Sequence, residues 1–149
     1  MQIKSDQLEN TLTSGLSPVY LITGDEQFLI EECCVAIREK AKLENYLERT
    51  VMTVERGFDW DRIRSESHSL SLFAQRRLLE IHLPTGKPGD AGAKCLVDLS
   101  QHLPQDTLIL VITSKLDSHN KQAKWVKALA TAGVMVTVYP VEARALPSW

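Results

Sequence analysis

The stretch Gly24-Asp25-Glu26-Gln27-Phe28-Leu29-Ile30-Glu31 follows an apolar run and opens a helical pattern. That is the setting in which a glycine loop cradles phosphate. The chemistry would need a second glycine, a lysine and a magnesium-binding hydroxyl at positions 29, 30 and 31. The chain has Leu29, Ile30 and Glu31 there. Asp25, Glu26 and Glu31 put negative charge where a triphosphate would lie. The position suits a nucleotide and the side chains do not, so neither ATP hydrolysis nor a cofactor is expected.

Other candidate chemistry is thinner. An NTPase would end its third strand with an Asp or Asp-Glu to organise magnesium and water; here the run ends Ile81-His82-Leu83-Pro84, with Glu80 inside it. His82 reads first as a strand-end residue with a hydrogen bond. His68, His102 and His119 fall in separate segments, with no two at metal-ligand spacing on one element. Cys33 and Cys34 are adjacent in a helical pattern, so their side chains diverge by about 100° and clasp one metal poorly. An odd count of three cysteines, with no secretion signal at the polar start, argues against a disulfide framework. No catalytic residue and no metal site is expected. An enzyme using His82 or Cys33 is the reading that a retained cofactor or metal would favour.

These residues must be positioned by alternating helices and strands. Ser5 or Asp6 can cap a short helix through Leu8 and Leu12, stopped near Gly15. Val19–Thr23 is a buried strand. From Glu26 to about Leu43, Phe28, Leu29, Cys33, Ile37, Lys40 and Ala41 fall near helical spacing. Arg49–Val54 is a second strand, and Asp59 can cap a short helix through Trp60 and Ile63. Arg77–Leu83 is a third strand, closed by a loop with Pro84, Gly86, Pro88 and Gly89. Ala91–Leu103 is a helix with Leu96, Leu99 and Leu103 on one face. Thr107–Thr113, the most continuous apolar run, suits a central strand covered on both faces. His119–Ala132 is again helical, with Trp125, Ala128 and Leu129 inward and Gly133 at C′. Val134–Val138 is the fifth strand. Alternation of this kind predicts an α/β fold, a three-layer, doubly wound, five-stranded parallel sheet.

Composition bounds the function. The 149 residues are 44% hydrophobic and 24% charged, and suit one domain with a sizeable core. Lys plus Arg is 17 against 19 for Asp plus Glu, a net charge of -2, where a protein gripping nucleic acid through phosphates is normally basic. Lys121, Lys124 and Lys127 make a basic stripe at three-residue steps, read first as a solvated helix face. No apolar run reaches the roughly 18 residues of a membrane span. The expectation is a soluble, cytoplasmic protein.

The informative segment is Ser69-Leu70-Ser71-Leu72-Phe73, followed by Ala74-Gln75-Arg76-Arg77. Two leucines and a phenylalanine alternate with serines in a connection between a helix and a strand. Such a run either tucks Leu72 and Phe73 into the core or exposes an apolar trio to a partner. The pentapeptide is similar to the sliding-clamp-binding motif of bacterial replication proteins, Gln-Leu-Ser/Asp-Leu-Phe. Leu70, Ser71, Leu72 and Phe73 match it, and Ser69 stands where the motif has Gln. Further matching pieces are Val19-Tyr20-Leu21 with Gly24, Asp59-Trp60, Thr107–Val111, Lys115-Leu116, Trp125 and Leu146-Pro147-Ser148-Trp149. In this order they resemble the amino-terminal domain of the delta-subunit family of the bacterial DNA polymerase III clamp loader, across essentially the whole chain.

The resemblance implies a RecA-like, AAA+-type domain over residues 1–141 with a degenerate phosphate loop. Residues 142–149 would start a linker to a lid domain. It also implies a wrench-like function in DNA replication: binding the ring-shaped sliding clamp (the polymerase III beta subunit) and favouring its open form, while neighbouring clamp-loader subunits hydrolyse ATP. The chain would then be a non-catalytic component of a nucleotidyltransferase holoenzyme that meets DNA indirectly. Carried over, Leu70, Leu72 and Phe73 plug a pocket on the clamp, Ser69 and Ser71 accompany them, and Arg76 and Arg77 add rim contacts. Discriminating the open ring would need further contacts, with the helix around Trp60 and Ile63 as a candidate source. The alternative is another degenerate P-loop-type domain serving as an interaction subunit with a different partner.

Overall fold

In the computed structural model, residues 1–68, 76–104 and 106–139 are described. Among them six strands form one parallel sheet. They are β1 (Gln2–Lys4), β2 (Val19–Gly24), β3 (Tyr46–Thr53), β4 (Arg76–Leu83), β5 (Thr107–Ser114) and β6 (Val134–Val138), in the order β1-β6-β2-β5-β4-β3. Helices α1 (Leu8–Thr13), α2 (Gln27–Leu43), α3 (Asp61–His68), α4 (Gly89–Gln101), α5 (Ser118–Lys121) and α6 (Lys124–Ala132) complete it.

Side-chain alternation along the strands divides the core in two. Tyr20, Ile22, Leu78, Leu108, Leu110, Ile112, Val134 and Val136 pack with α1 and α2. The intervening Val19, Leu21, Leu79, Ile81, Ile109, Val111 and Met135 pack with Ile63 of α3, Leu96 and Leu99 of α4 and Trp125 and Leu129 of α6. The central strands β2 and β5 are buried nearly throughout, as a parallel sheet covered on both faces requires.

The α/β, doubly wound character and all five expected strands are present, with one addition and several shifts. The sixth strand, β1, pairs Ile3 with Val136 at the sheet edge. Three residues flanked by polar side chains carry too little periodicity to be read as a strand. Neither Ser5 nor Asp6 caps the first helix: a 3-10 turn, Ser5–Gln7, precedes α1, and the Gln7 side chain accepts from the Lys4 amide at 2.8 Å. In α2 the buried face is Leu29, Ile30, Cys33, Cys34, Ile37 and Ala41, and Phe28 is 67% exposed. The strand expected from Arg49 begins at Tyr46.

The helix expected over His119–Ala132 is two helices. Asp117 caps α5, accepting from the Asn120 amide at 2.7 Å, and Ala123 is extended (φ -64, ψ 147) before α6 starts. Lys121 therefore stands apart from Lys124 and Lys127, and the three make no continuous stripe on one helix. Val126 and Ala130 join Trp125 and Leu129 in the core, while Ala128 is half-buried. Gly133 follows α6 as expected, though for another reason. Its φ of -154 is open to any residue, but an added Cβ would sit 2.0 Å from the Val19 carbonyl oxygen.

Candidate functional site

A parallel sheet has two unlike edges, and the candidate chemistry divides between them. At the carboxyl edge, β2 ends at Gly24, whose bare Cα lets β6 approach: an added Cβ would lie 2.7 Å from the Val138 carbonyl oxygen. Glu26 then caps α2 with its own carboxylate, accepting from the Phe28 amide at 3.1 Å. An amide at a helix N-terminus is the group that a phosphate would engage. Glu31, one turn further on, pairs with Arg38 Nη1 at 3.1 Å.

Arg38 leads to a buried ionic cluster on the α2 face of the sheet. Glu80, in the middle of β4, is fully buried. Its carboxylate accepts from Arg38 (Nε 2.7 Å, Nη2 3.0 Å) and from Arg49 of β3 (Nε 2.7 Å, Nη2 3.2 Å). His82 Nε2 lies 3.3 Å from its second oxygen. Burial works to raise the Glu80 carboxyl. Hydrogen bonds from His82, Arg38 and Arg49 outweigh it and hold the group well below the usual carboxylate range. The hydrogen bond to Glu80 raises Arg38 in turn. Two forked guanidiniums on one carboxylate tie α2, β3 and β4 together. The strand-end His82 is thus a partner of Glu80. The cluster's signal in the sequence is Glu80 itself, a carboxylate in an apolar strand that must find cations.

The amino edge is where the chain leaves α3 at His68 and returns at Arg76. Ser69, Leu70, Ser71, Leu72 and Phe73 lie outside the described residues. The two arginines that follow differ. Arg76 is exposed and fastened to the α2–β3 corner. It donates to the Glu44 carbonyl at 3.1 Å, lies 3.7 Å from the Asp106 carboxylate, and stacks 5.5 Å above the Tyr46 ring. Arg77, expected at a rim, is instead only 7% exposed, opposite Glu48 in the β3–β4 register. Side chains alternate along a strand, so adjacent arginines cannot share the same surroundings.

Of the two residues named as a source of further contacts, Ile63 faces the core and Trp60 packs on α4, while Arg62 and Arg64 of α3 are exposed. Asp59 caps α3 as expected, accepting from the Asp61 amide at 3.0 Å. Ile63 is fully buried, and Trp60 packs so closely on α4 that a Cβ on Gly92 would meet its ring at 2.4 Å. Cys33, Cys34 and Cys95 are buried and not joined in disulfides among the described residues, with burial pushing the Cys34 thiol up to about 12. Among the described residues no helix is long and apolar enough to cross a membrane.

Strand order and helices on both faces define a three-layer, doubly wound α/β domain. The solved structures agree. The clamp loader delta protein of Bacillus subtilis superposes with a TM-score of 0.73 at 20% identity, over 97% of this chain and 45% of that one. A DNA polymerase III gamma subunit-related protein of Thermotoga maritima gives 0.58 at 13% identity, over 97% and 49%. The sequence model of the family described as DNA polymerase III, delta subunit, matches residues 20–139. The delta subunit of DNA polymerase III of Escherichia coli is 32% identical over all 149 residues, which span 43% of that protein. The chain belongs to the DNA polymerase III delta-subunit family, a family of DNA replication. It spans less than half the length of these relatives.

Proposed function

We propose that this domain binds the sliding clamp and promotes or stabilises opening of the ring, with Leu70, Leu72 and Phe73 as the plug. The observation that carries the reading is the sequence Leu70-Ser71-Leu72-Phe73 in the α3–β4 connection of a delta-family chain. Fully burying a leucine or phenylalanine contributes about 1.5–3 kcal/mol before ordering costs, so two or three anchors make a hot spot. Ser71 fits the alternation. Ser69 lacks the long amide of the motif's Gln and so its hydrogen bond at the pocket mouth. Of the two arginines, Arg76 is the one exposed for rim contact.

The domain works without hydrolysing ATP of its own. Supporting this, the Glu26 carboxylate occupies an α2 amide, and Ile30 and Glu31 stand at the lysine and hydroxyl positions of a phosphate loop. ATP chemistry then belongs to neighbouring clamp-loader subunits, and DNA is met through the assembled complex. A ring opens under such a protein only where the open form binds it better than the closed form.

The test is binding of the full-length protein to the sliding clamp, wild type beside Leu72→Ala/Phe73→Ala, with thermal melts of both. A loss of at least about 100-fold, roughly 2.7 kcal/mol, with the melting temperature kept marks the pair as surface anchors. Retained binding with a lowered melting temperature would place them in the core and refute the reading.

A further inference from the structure

Strand β1 holds to the sheet with little of its own. It has three residues, pairs with β6 at the edge, and has Ile3 as its one half-buried side chain. So short a strand offers few ladder bonds and little burial. Its start is held by other means. The Met1 ammonium donates to the Ala130 carbonyl at 2.6 Å and to the Gly133 carbonyl at 3.0 Å. The Met1 carbonyl accepts from the Met135 amide at 2.7 Å.

The carbonyls that the ammonium meets stand at the end of α6. The last carbonyls of a helix have no partner within it, and they carry the negative end of its dipole. A cation is favoured there, yet the last turn of α6 has no basic side chain. The Gly133 amide satisfies the Leu129 carbonyl at 3.0 Å, and the ammonium brings both charge and donor to Ala130. The same turn is where the chain passes so close to Val19 that a side chain on Gly133 would not fit. One amino group thus joins β1 to the α6–β6 turn.

Such a cap needs a charge and more than one N–H. A charged amine has three protons to donate, whereas an amide nitrogen has one and no charge. An acyl group on Met1, or a residue joined ahead of it, makes the amine an amide. One of the two carbonyls then loses its donor, and α6 loses its cation. With β1 released, β6 becomes the edge of the sheet. A bare apolar edge such as Val134–Val138 is one on which other chains can pair.

We propose that the amino group of Met1 is the cap of α6 that holds β1 on the sheet, and that acylation or extension at this nitrogen opens the β1 edge. The inference stands apart from the clamp-binding reading.

The test is amide hydrogen exchange on the full-length protein in three forms: Met1 with a free amine, Met1 acetylated, and Met1 preceded by a removable Gly-Ser extension. Mass spectrometry fixes the group on Met1 in each. In both blocked forms, exchange of Gln2–Lys4 and of the Met135 amide should rise by about 5-fold or more, while β4 and β5 keep their rates. Removing the extension should restore the rates of the free amine. Unchanged exchange at β1 and Met135 in both blocked forms, or no return on removing the extension, overturns the proposal. A rise in only one blocked form would mark crowding by that group rather than loss of the ammonium. An equal rise in every strand would mark general loosening of the fold. Either of these results also overturns the cap.

Discussion

Replacing Glu80 with glutamine tests whether the buried cluster holds the sheet to α2. The substitution keeps size and acceptor geometry at one oxygen and removes the charge that two guanidiniums share. Arg49 is the lesser loss, because its side chain is 48% exposed and water can replace the carboxylate. Arg38 is 18% exposed and keeps only Glu31 at 3.1 Å. Removing one partner of a buried ion pair costs about 3–5 kcal/mol. With one arginine able to rehydrate, the lower end applies, about 3 kcal/mol. At about 2–4 °C per kcal/mol for a domain of this size, the melting temperature should fall by roughly 6–12 °C. Arg38→Ala should cost less, about 2 kcal/mol, since Glu80 keeps Arg49 and His82, and Arg49→Ala about 1 kcal/mol. Acid adds a second readout. Glu80 titrates below its unfolded value of about 4.3, so the stability its charge contributes is complete above that pH and is lost as pH falls further. Urea unfolding at pH 7 and at steps below about pH 4.3 should show the gap between wild type and Glu80→Gln narrowing, by at most about 1.4 kcal/mol per pH unit. A variant within about 1 kcal/mol of wild type at pH 7, or a gap indifferent to acid, would refute the account.

Two further substitutions probe the frame of the domain away from the proposed interface. Gly133→Ala drives a methyl into the Val19 carbonyl, so the α6–β6 turn and the start of β2 must part; calorimetry should show a loss of about 3 kcal/mol or more, the upper end of overpacking, and a loss under about 1 kcal/mol would contradict the close approach. Glu26→Ala removes the α2 cap and should cost about 0.5–2 kcal/mol, while ATP leaves the melting temperature of the variant unchanged because Ile30 and Glu31 still stand where a lysine and a hydroxyl would be needed.

The parts legible in the sequence are those where local pattern and tertiary environment agree. Thr107–Thr113 is apolar at every other step and between, because β5 is covered on both faces, and Val134–Val138 reads the same way. Where tertiary context decides, local pattern gives no warning. Nothing in Gln122-Ala123 forbids a helix, yet Ala123 is extended there. Phe28 is apolar and near the helical stripe, yet it stands about 100° off Leu29 on the side away from Ile30. The ionic cluster was half visible. Glu80 is conspicuous in Leu-Leu-Glu-Ile, but its cations come from residues 42 and 31 positions away, a pairing only the β3–β4 register and the packing of α2 can create. The proposed plug was legible as an alternation of leucine and serine in a connection. Its two arginines differ by the face each takes on β4, which the dipeptide alone does not encode.

The division between the two edges of the sheet bears on how such a domain could bind a protein without binding a nucleotide. Ligands of doubly wound folds collect at the carboxyl ends of the strands. Here the first turn of α2 satisfies an amide with Glu26, and Glu31 turns to Arg38, so those groups are engaged within the domain. The amino edge has the opposite character. It carries the exposed Leu43 and Leu47, a tight left-handed turn between them, and an arginine three residues past Phe73 whose guanidinium is held at three points. A plug on a free tether loses chain entropy when it docks; one whose exit is fixed by Arg76 loses less. On this reasoning Arg76→Ala should weaken clamp binding more than a lone rim charge would, by loosening the point at which the chain enters β4 as well as removing a contact. Salt distinguishes the two roles. A rim charge acts mainly on the association rate and fades at high ionic strength, whereas a tether anchor acts on the dissociation rate and persists. If the Arg76→Ala defect vanishes in high salt, Arg76 is a rim charge only and the anchoring argument fails.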